Sequence, residues 1–251
     1  MKKTIVIEPF FTDIPLIERI KKFSDFGFDG IEFWDCSKEN AKELGDEAAK
    51  YNLEVTGCIA KGLFDGHLNR SYKDVKKTFL ESLEYMTLLR CTKLLVFPGN
   101  VYKNEDTQKS LVIENLKKLA VIAKQEGVTI FIEAINNIID HKGHYLVSTA
   151  IAAEIARCVD HENVRLIYDI YHMQVMEGNI INNIKDHIDL ISHFHSAGLP
   201  GRCEHHLGEL DYPKIIKVIK ELGYEGYFGL EYLPTYDNEQ SIKDVLEYLG
   251  I

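Results

Sequence analysis

The sequence predicts a (β/α)8 (TIM) barrel formed by residues 1–251 as a single domain. Short runs of β-branched and aromatic residues recur roughly once per 30 residues, and a stretch with helical patterning follows each run. There are eight such units, the number of strand–helix units that closes this barrel. No proline-rich, serine-rich or low-complexity linker divides the chain, so we expect no appended module.

The predicted strands include several nearly continuous apolar runs, as expected for parallel strands that are buried on both faces. Each is followed by a segment long enough for a covering helix. In chain order the runs are TIVIE from Thr4, DGIEF from Asp29, LEVTGC from Leu53, KLLVF from Lys93, VTIFIE from Val128, NVRLIYD from Asn163, LISHFH from Leu190 and GYFGLE from Gly226.

Helix boundaries are indicated by a few residues. Asp13, ahead of Pro15, is predicted to open the first helix, which Gly27 ends. Gly127 and Gly223 are predicted to end the helices before the fifth and eighth strands. An open doubly wound sheet has the same alternation, but the first strand–helix turn reads EPFFTD instead of a glycine-rich phosphate loop. We therefore favour the closed barrel.

Composition narrows the classes of partner. The chain is 45% hydrophobic and carries a net charge of −10, so it has material for a core and no basic surface for nucleic acid. We expect a small-molecule partner, a hydroxy-carbonyl compound or sugar. The five cysteines show no CxxC spacing, which is typical of a reducing compartment: Cys36, Cys58, Cys91, Cys158 and Cys203.

The N-terminus MKKTIVIEPF reaches Glu8 too soon for a signal-peptide core, and no run is long enough to span a membrane. We therefore expect a cytoplasmic protein without a membrane partner. The sequence does not determine the oligomeric state, and it is compatible with a homo-oligomer.

Candidate functional residues end the last four predicted strands, and active sites of such barrels form at the carboxyl ends of the strands. These residues are Glu133, Asp169, His195 and Glu231. Taken singly, each could be a helix cap or a loop residue, but three carboxylates and one imidazole at one end of a barrel suit a divalent cation. Oxygen-dominated ligation favours Mn²⁺, Mg²⁺ or Co²⁺, with Zn²⁺ as an alternative.

Several stretches in the second half resemble the hydroxypyruvate isomerase family, which belongs to the xylose-isomerase-like barrels that include the ketose 3-epimerases. From Glu133 to the C-terminus these are IEAINN, DHKGHYLVSTA, IYDIYHMQVMEGN, HFHSAGLPGRCEHHLGELDYP and GYEGYFGLEYLP, and GFDGIEFW is a weaker echo near the start. The spaced combination of DIYHMQ, PGR and GLEY is specific.

The resemblance implies roles for six residues. The family's metal ligands fall on Glu133, Asp169, His195 and Glu231, and its two acid/base glutamates on Glu133 and Glu231. Its substrate-binding residues fall on His172 and Arg202. Physically, His172 in Asp-x-x-His could donate a hydrogen bond to developing negative charge, and the planar fork of Arg202 suits a carboxylate. A helix-opening histidine and a solvated loop arginine are the alternative interpretations.

The sequence departs from the family after PGR, where it has Glu204, His205 and His206 in place of an EPG-like turn. Adjacent histidines could recruit additional metal, as in the related apurinic-site endonucleases, which use three zinc ions. The acidic net charge and Phe97, where those nucleases have a histidine, weigh against a nuclease. For His67 and His144 a position on the protein surface is the favoured interpretation, although both could line the pocket.

The predicted activity is metal-dependent isomerisation through a cis-enediolate, with hydroxypyruvate and tartronate semialdehyde as the first candidates. A ketose or keto-sugar 3-epimerase would use the same residues. The alternatives of another class are an apurinic-site endonuclease-like phosphodiesterase and a sugar-acid-binding barrel without turnover. Five aromatic residues near strand ends are candidates for an apolar wall, with packing as the other interpretation: Phe10, Phe11, Trp34, Phe97 and Tyr232.

Overall fold

The computed structural model describes residues 1–34, 41–60, 68–102 and 104–251, and it contains a closed barrel of eight parallel strands in sequence order. Each strand pairs with its neighbours in the chain, and β1 closes on β8. The strands are β1 Lys2–Val6, β2 Gly30–Phe33, β3 Glu54–Ile59, β4 Lys93–Leu95, β5 Thr129–Glu133, β6 Val164–Asp169, β7 Ile191–Ser196 and β8 Tyr227–Leu230.

The helices lie between and after these strands. They are α1 Leu16–Asp25, α2 Ala41–Lys50, α3 Tyr72–Leu89, α4 Glu105–Glu126, α5 Thr149–Val159, α6 Ile170–Met176, α7 Ile180–His187, α8 Tyr212–Glu221 and α9 Asn238–Leu249. Among the described residues no helix is both long and apolar enough to cross a membrane. The four described cysteines form no disulfide, as predicted.

The predicted barrel is confirmed, with small shifts at the boundaries. All eight predicted runs overlap a strand, but β1 begins two residues early and β8 ends at Leu230, one residue before Glu231. Gly27, Gly127 and Gly223 follow helix ends in left-handed conformations, with φ of 73°, 67° and 76°. This conformation is cheap only for a residue without a Cβ, which is why glycine stands there.

One boundary prediction is wrong. Asp13 does not open α1, because Pro15 is the residue that precedes the helix and no side chain caps it. Pro15 stands before the helix with φ of −55°, and its carbonyl oxygen accepts the N–H of Glu18 at 3.0 Å. Other helices do use side-chain caps, as in α8, where Asp211 accepts the backbone N–H of Lys214 at 3.1 Å.

Two groups of buried apolar side chains stabilise the barrel. The larger group includes residues of both the strands and the helices, for example Ile5 of β1 and Ile20 and Phe23 of α1. The smaller group borders the cavity at the carboxyl end of the strands, and it consists of Ile59, Leu95, Phe97, Phe131, Ile135 and Ile167. The residues at the carboxyl ends of β5 to β8 form the polar side of the same cavity.

Candidate active site

A cavity of about 770 Å³ opens at the carboxyl end of the barrel. Its polar wall contains Glu133, His195 and Glu231 from the ends of β5, β7 and β8, together with His172 and Arg202 from the segments that follow β6 and β7. The apolar wall includes Trp34 and the smaller apolar group described above. The strand-end residues predicted from the sequence therefore meet in one place.

Glu133, Asp169, His195 and Glu231 can present one ligand atom each so that all four atoms lie within 4.8 Å of one another. All four side chains are buried. Asp169 and His195 face each other in the register of β6 and β7, and this pairing brings the carboxylate and the imidazole side by side. Three carboxylates and one imidazole in this arrangement could hold a divalent cation.

His195 lies at the centre of the cluster. Its Nδ1 is 3.2 Å from Glu133 Oε1 and 3.3 Å from Glu231 Oε2, while its Nε2 is 3.0 Å from Glu32 Oε2. Burial lowers the pKa of His195, but the negative charges of Glu32 and Glu231 outweigh burial and raise it well above its ordinary value. The ring is therefore the positive charge that these carboxylates share.

The carboxylates of the cluster differ in their pKa values. Burial raises the pKa of Glu133 to about 7 and that of Asp169 to about 6, and in both cases the nearby charge of Glu231 adds to the shift. Burial acts in the same sense on Glu231, but the positive charges of Arg202 and His195 hold its pKa well below the ordinary value. Two glutamates of one cavity thus have pKa values pushed far apart, as is typical of acid/base pairs.

Asp169 also begins α6, because its Oδ1 accepts the backbone N–H of His172 at 2.9 Å. The Asp-x-x-His spacing therefore combines a helix cap with a side chain that lines the cavity. Hence His172 is part of the cavity wall as well as of the first turn of the helix.

The proton of His172 is fixed by Asn136. The amide oxygen of Asn136 accepts the N–H groups of Ile139 and Asp140, both at 3.0 Å, so its amide nitrogen donates to His172 Nδ1 at 2.7 Å. Burial lowers the pKa of His172 well below the ordinary value, which keeps the ring neutral. A neutral ring that accepts at Nδ1 carries its proton on Nε2, so His172 is a hydrogen-bond donor at that nitrogen.

Arg202 is not a solvated loop arginine. Its Nη2 lies 2.9 Å from Glu231 Oε2, its Nε donates to the backbone oxygen of Glu231 at 3.3 Å, and its guanidinium lies 5.5 Å from the ring centre of Tyr171. The backbone of Arg202 has φ of 53°, a left-handed conformation that costs energy in a residue with a Cβ.

Sequence reasoning missed part of the site. Trp34 lines the cavity, as the apolar-wall interpretation predicts, but its polar contact is not foreseen: Nε1 donates to Glu231 Oε1 at 2.5 Å, so both oxygens of Glu231 are engaged. Glu32 and Asn136 were not singled out, although both are buried beside the site. The signal that could have found Glu32 is a glutamate inside the otherwise apolar strand GIEF. Of the other aromatic candidates, Phe97 lines the cavity and Tyr232 packs in the core.

The prediction for His144 is wrong: this residue is buried and lines the cavity. Burial lowers its pKa to about 3, and its ring packs edge-on against Phe97 at 5.6 Å. A short loop after β5 folds inwards here, because His144 and Asn100 form an antiparallel bridge. His67 lies outside the described residues.

The turn after PGR is structural. Glu204 accepts the N–H of Thr235 and the hydroxyl of Ser241 through Oε1, both at 2.8 Å, and the hydroxyl of Thr235 through Oε2 at 2.8 Å. His205 is buried with its Nε2 2.9 Å from Ser196 Oγ, and His206 Nε2 lies 3.3 Å from Tyr236 Oη. In the described part of the chain these three residues belong neither to the cavity wall nor to a metal-binding group.

The fold and the site define a closed (β/α)8 barrel with a carboxylate–imidazole set, able to hold a cation, at the carboxyl end of its strands. Residues 20–250 match the family described as xylose isomerase-like TIM barrel, and the chain belongs to this family.

Among its relatives, 2-oxo-tetronate isomerase of Pectobacterium atrosepticum is 30% identical over 243 residues, which cover 92% of either chain. Hydroxypyruvate isomerase of Escherichia coli is 29% identical and covers 93% of either chain. A solved structure named AP endonuclease, family 2, from Brucella melitensis superposes with a TM-score of 0.91 at 25% identity, covering 99% of both chains. The family and fold implied by the resemblance are confirmed.

Proposed function

We propose that this protein is a divalent-metal-dependent isomerase of a small hydroxy-carbonyl acid, of the type of hydroxypyruvate or 2-oxo-tetronate. The observation that carries the proposal is the buried cluster of Glu133, Asp169, His195 and Glu231, in which the pKa values of the two glutamates are pushed apart. The relatives named as isomerases of such acids, which align over nine-tenths of the chain, support this choice.

The cluster fits a divalent cation. Burial raises the pKa values of Glu133 and Asp169, and the repulsion between the carboxylates packed together here raises them further. A cation relieves both costs. The ligands would be Glu133, Asp169, His195 and Glu231, and a set with mostly oxygen donors favours Mn²⁺, Mg²⁺ or Co²⁺ over Zn²⁺. When bound, the cation polarises the carbonyl and the neighbouring hydroxyl of the substrate.

The residues of the chain then move the proton. Glu231, kept ionised by Arg202 and His195, is the base that removes the carbon-bound proton. Glu133, which lines the same cavity, is the group that returns a proton to the substrate. His172 donates its Nε2–H to the oxygen on which negative charge develops. The product is an isomer when the proton returns to the neighbouring carbon, and an epimer when it returns to the same carbon.

The acid end of the substrate would be recognised by positive charge at the cavity mouth. Arg202 lines the cavity, where Nη2 and Nε contact Glu231 and the other Nη is left for a substrate, and Lys142 lines the same cavity. We therefore favour a carboxylate-bearing substrate over a neutral ketose. A 3-epimerase acting on a ketose remains the second candidate, because it would use the same glutamates.

A nuclease is disfavoured, although one solved structure with this fold carries that name. The residues that could have bound further metal, Glu204, His205 and His206, are engaged with Thr235, Ser196 and Tyr236 and lie away from the cavity. The net charge of −10 also opposes binding to a phosphate backbone. DNA containing an abasic site is a suitable negative substrate.

The test is proton exchange in D₂O. Protein loaded with Mn²⁺, Mg²⁺ or Co²⁺ is incubated with hydroxypyruvate, 2-oxo-tetronate, ketoses and abasic-site DNA, and deuterium incorporation and strand cleavage are followed by NMR and gel electrophoresis. We expect exchange with an acid substrate, its loss on chelation, and its return with metal. Replacing Asp169 by Ala should lower metal occupancy. Proton exchange that persists after chelation would contradict the proposal. So would cleavage of the abasic-site DNA, or binding of an acid substrate without proton exchange.

A further inference from the structure

Glu32 of β2 is a buried carboxylate for which the proposed reaction has no direct use. Its Oε1 lies 2.9 Å from His193 Nε2 and its Oε2 lies 3.0 Å from His195 Nε2. Glu32 is only 4% exposed, and both histidines come from β7. Within the described part of the chain these two rings are its hydrogen-bond partners. A buried carboxylate is tolerated only where such partners satisfy it.

The two nitrogens of His195 have different neighbours. Nε2 faces Glu32, whereas Nδ1 faces Glu133 and Glu231 at 3.2 and 3.3 Å. Glu32 can only accept a hydrogen bond at Nε2, so the proton stays on that nitrogen. Nδ1 is the nitrogen that faces the carboxylate cluster, so it is the one whose lone pair a cation there would take in place of a proton.

We propose that Glu32 is a positioning residue, which holds the Nε2–H of His195 and thereby presents Nδ1 to the cation site of Glu133, Asp169 and Glu231. The proposal rests on the proposed function. Carboxylate partners of this kind orient metal-binding histidines and increase their basicity. Glu32 thus takes no part in proton transfer and acts only through His195.

Two glycines make room for this carboxylate. A Cβ on Gly57 of β3 would lie 2.9 Å from Oε2 of Glu32, the oxygen that faces His195. A Cβ on Gly229 of β8 would lie 3.0 Å from Oε1 and 2.9 Å from Cδ2 of His195. Any other residue at these strand positions would push Glu32 or His195 aside. The glycines of β3 and β8 therefore leave the room in which Glu32 and His195 meet.

His193 supports the same arrangement from the other oxygen. Its ring stacks on Tyr227 with a centre-to-centre distance of 6.3 Å and lies 5.7 Å from Phe131. It therefore satisfies Oε1 from a fixed position and leaves Oε2 to His195. This division supplies a matched control, because the ring of His193 meets that of His195 edge-on at 5.0 Å but satisfies Oε1 and not the oxygen that holds His195.

The test uses the full-length protein and Mn²⁺. Titration followed by electron paramagnetic resonance of free Mn²⁺ should show a roughly 10- to 100-fold weaker affinity in Glu32→Gln, since the amide is a poorer partner for Nε2–H. Gly57→Ala, whose new Cβ would lie 2.9 Å from the oxygen on His195, should weaken binding in the same direction. His193→Gln keeps a donor for Oε1 and should weaken Mn²⁺ binding much less than Glu32→Gln does.

A second readout is independent of the metal. In the wild type the Nε2 proton of His195 should give a slowly exchanging, downfield ¹H–¹⁵N signal. This signal should move upfield and exchange faster in Glu32→Gln, whereas in His193→Gln it should stay downfield and slowly exchanging. Wild-type affinity in Glu32→Gln, or equal weakening in both Gln variants, would overturn the positioning role. The Mn²⁺ stoichiometry gives a further test. If the wild type bound two Mn²⁺ per chain and Glu32→Gln bound one, Glu32, His193 and His195 would form a second cation site, and the positioning role would be overturned.

Failure of the proposed function gives a different pattern. If Asp169→Ala left Mn²⁺ affinity unchanged, the cation would bind elsewhere and the proposed reaction would fall with it. The signal of the His195 ring would still report whether Glu32 holds Nε2. If Asp169→Ala weakened Mn²⁺ binding and Glu32→Gln did not, the positioning role of Glu32 would be overturned and the proposed function would stand.

Discussion

Arg202 Nη2 lies 2.9 Å from Glu231 Oε2, the same oxygen that lies 3.3 Å from His195 Nδ1. This buried contact brings two positive groups to one carboxylate and keeps Glu231 ionised. Glu133, in contact with His195 but not paired with an arginine, has a pKa of about 7. The difference between two glutamates of the same cavity therefore originates in the loop that carries Arg202.

Replacing Arg202 should change the pH profile of the reaction. In Arg202→Gln the charge that lowers the pKa of Glu231 is lost, so its pKa rises and the acid limb of kcat/KM should move to higher pH. A shift of one unit costs roughly tenfold in activity on that limb. Arg202→Lys keeps the charge, so its limb should move less, while KM for an acid substrate rises because a point charge replaces a planar fork. Identical profiles in all three proteins would contradict this role.

Glu133→Gln and Glu231→Gln should each reduce turnover by about 10²–10⁴-fold, as expected for a lost acid/base group. Metal binding should weaken less, because glutamine keeps one ligand oxygen. Measuring both turnover and solvent deuterium exchange separates the roles. A Glu133→Gln protein that exchanges the substrate proton without completing isomerisation would identify Glu231 as the first base. Near-full turnover in either metal-loaded variant would refute the two-glutamate mechanism.

Stability in the presence of a chelator should also report on Glu133. Its pKa is about 7 in the folded protein and near the ordinary 4.5 when unfolded. Between these values the unfolded chain loses a proton that the folded protein retains, so the wild type loses stability as pH rises and the loss levels off above about 7. The glutamine in Glu133→Gln cannot ionise, so the variant does not lose this stability. The difference in free energy of unfolding between the variant and the wild type should therefore grow between these two pH values by on the order of 3 kcal/mol.

Urea denaturation at several pH values measures this difference, with Glu209→Gln at an exposed position as the control. The control should follow the wild type at every pH. A constant difference between Glu133→Gln and the wild type would mean that burial does not disfavour the charge of Glu133. Added Mn²⁺ should reverse the order of stability, since the wild type binds it more tightly.

Glu204→Gln should destabilise the fold without affecting the site. Glu204 holds Thr235 and Ser241 through three hydrogen bonds, and an amide group can accept only some of these. We expect a loss of about 1.5–3 kcal/mol in the free energy of unfolding. The Mn²⁺ stoichiometry and turnover should stay at wild-type values. A lost metal ion in this variant would assign Glu204 to a further metal site and revive the nuclease alternative.

The strand-end residues could be predicted because the fold relates sequence position to location. In parallel strands every carboxyl end lies on the same side of the barrel, so Glu133, Asp169 and His195 had to converge once eight strands were recognised. The same reasoning failed for Glu32, which lies within its strand. It failed too for His144, because nothing in a loop sequence shows that the loop folds into the cavity.

The sequence by itself determined the barrel, its strand order and the four residues of the candidate cation site, because hydrophobic periodicity and strand ends are local properties of the chain. Only the tertiary structure decided how their charges are distributed. The contacts of Glu231 with Arg202 and of His195 with Glu32 join β8 to the loop after β7, and β7 to β2. The pKa of a buried group depends on burial and on charges a few ångströms away, and both depend on residues distant in sequence.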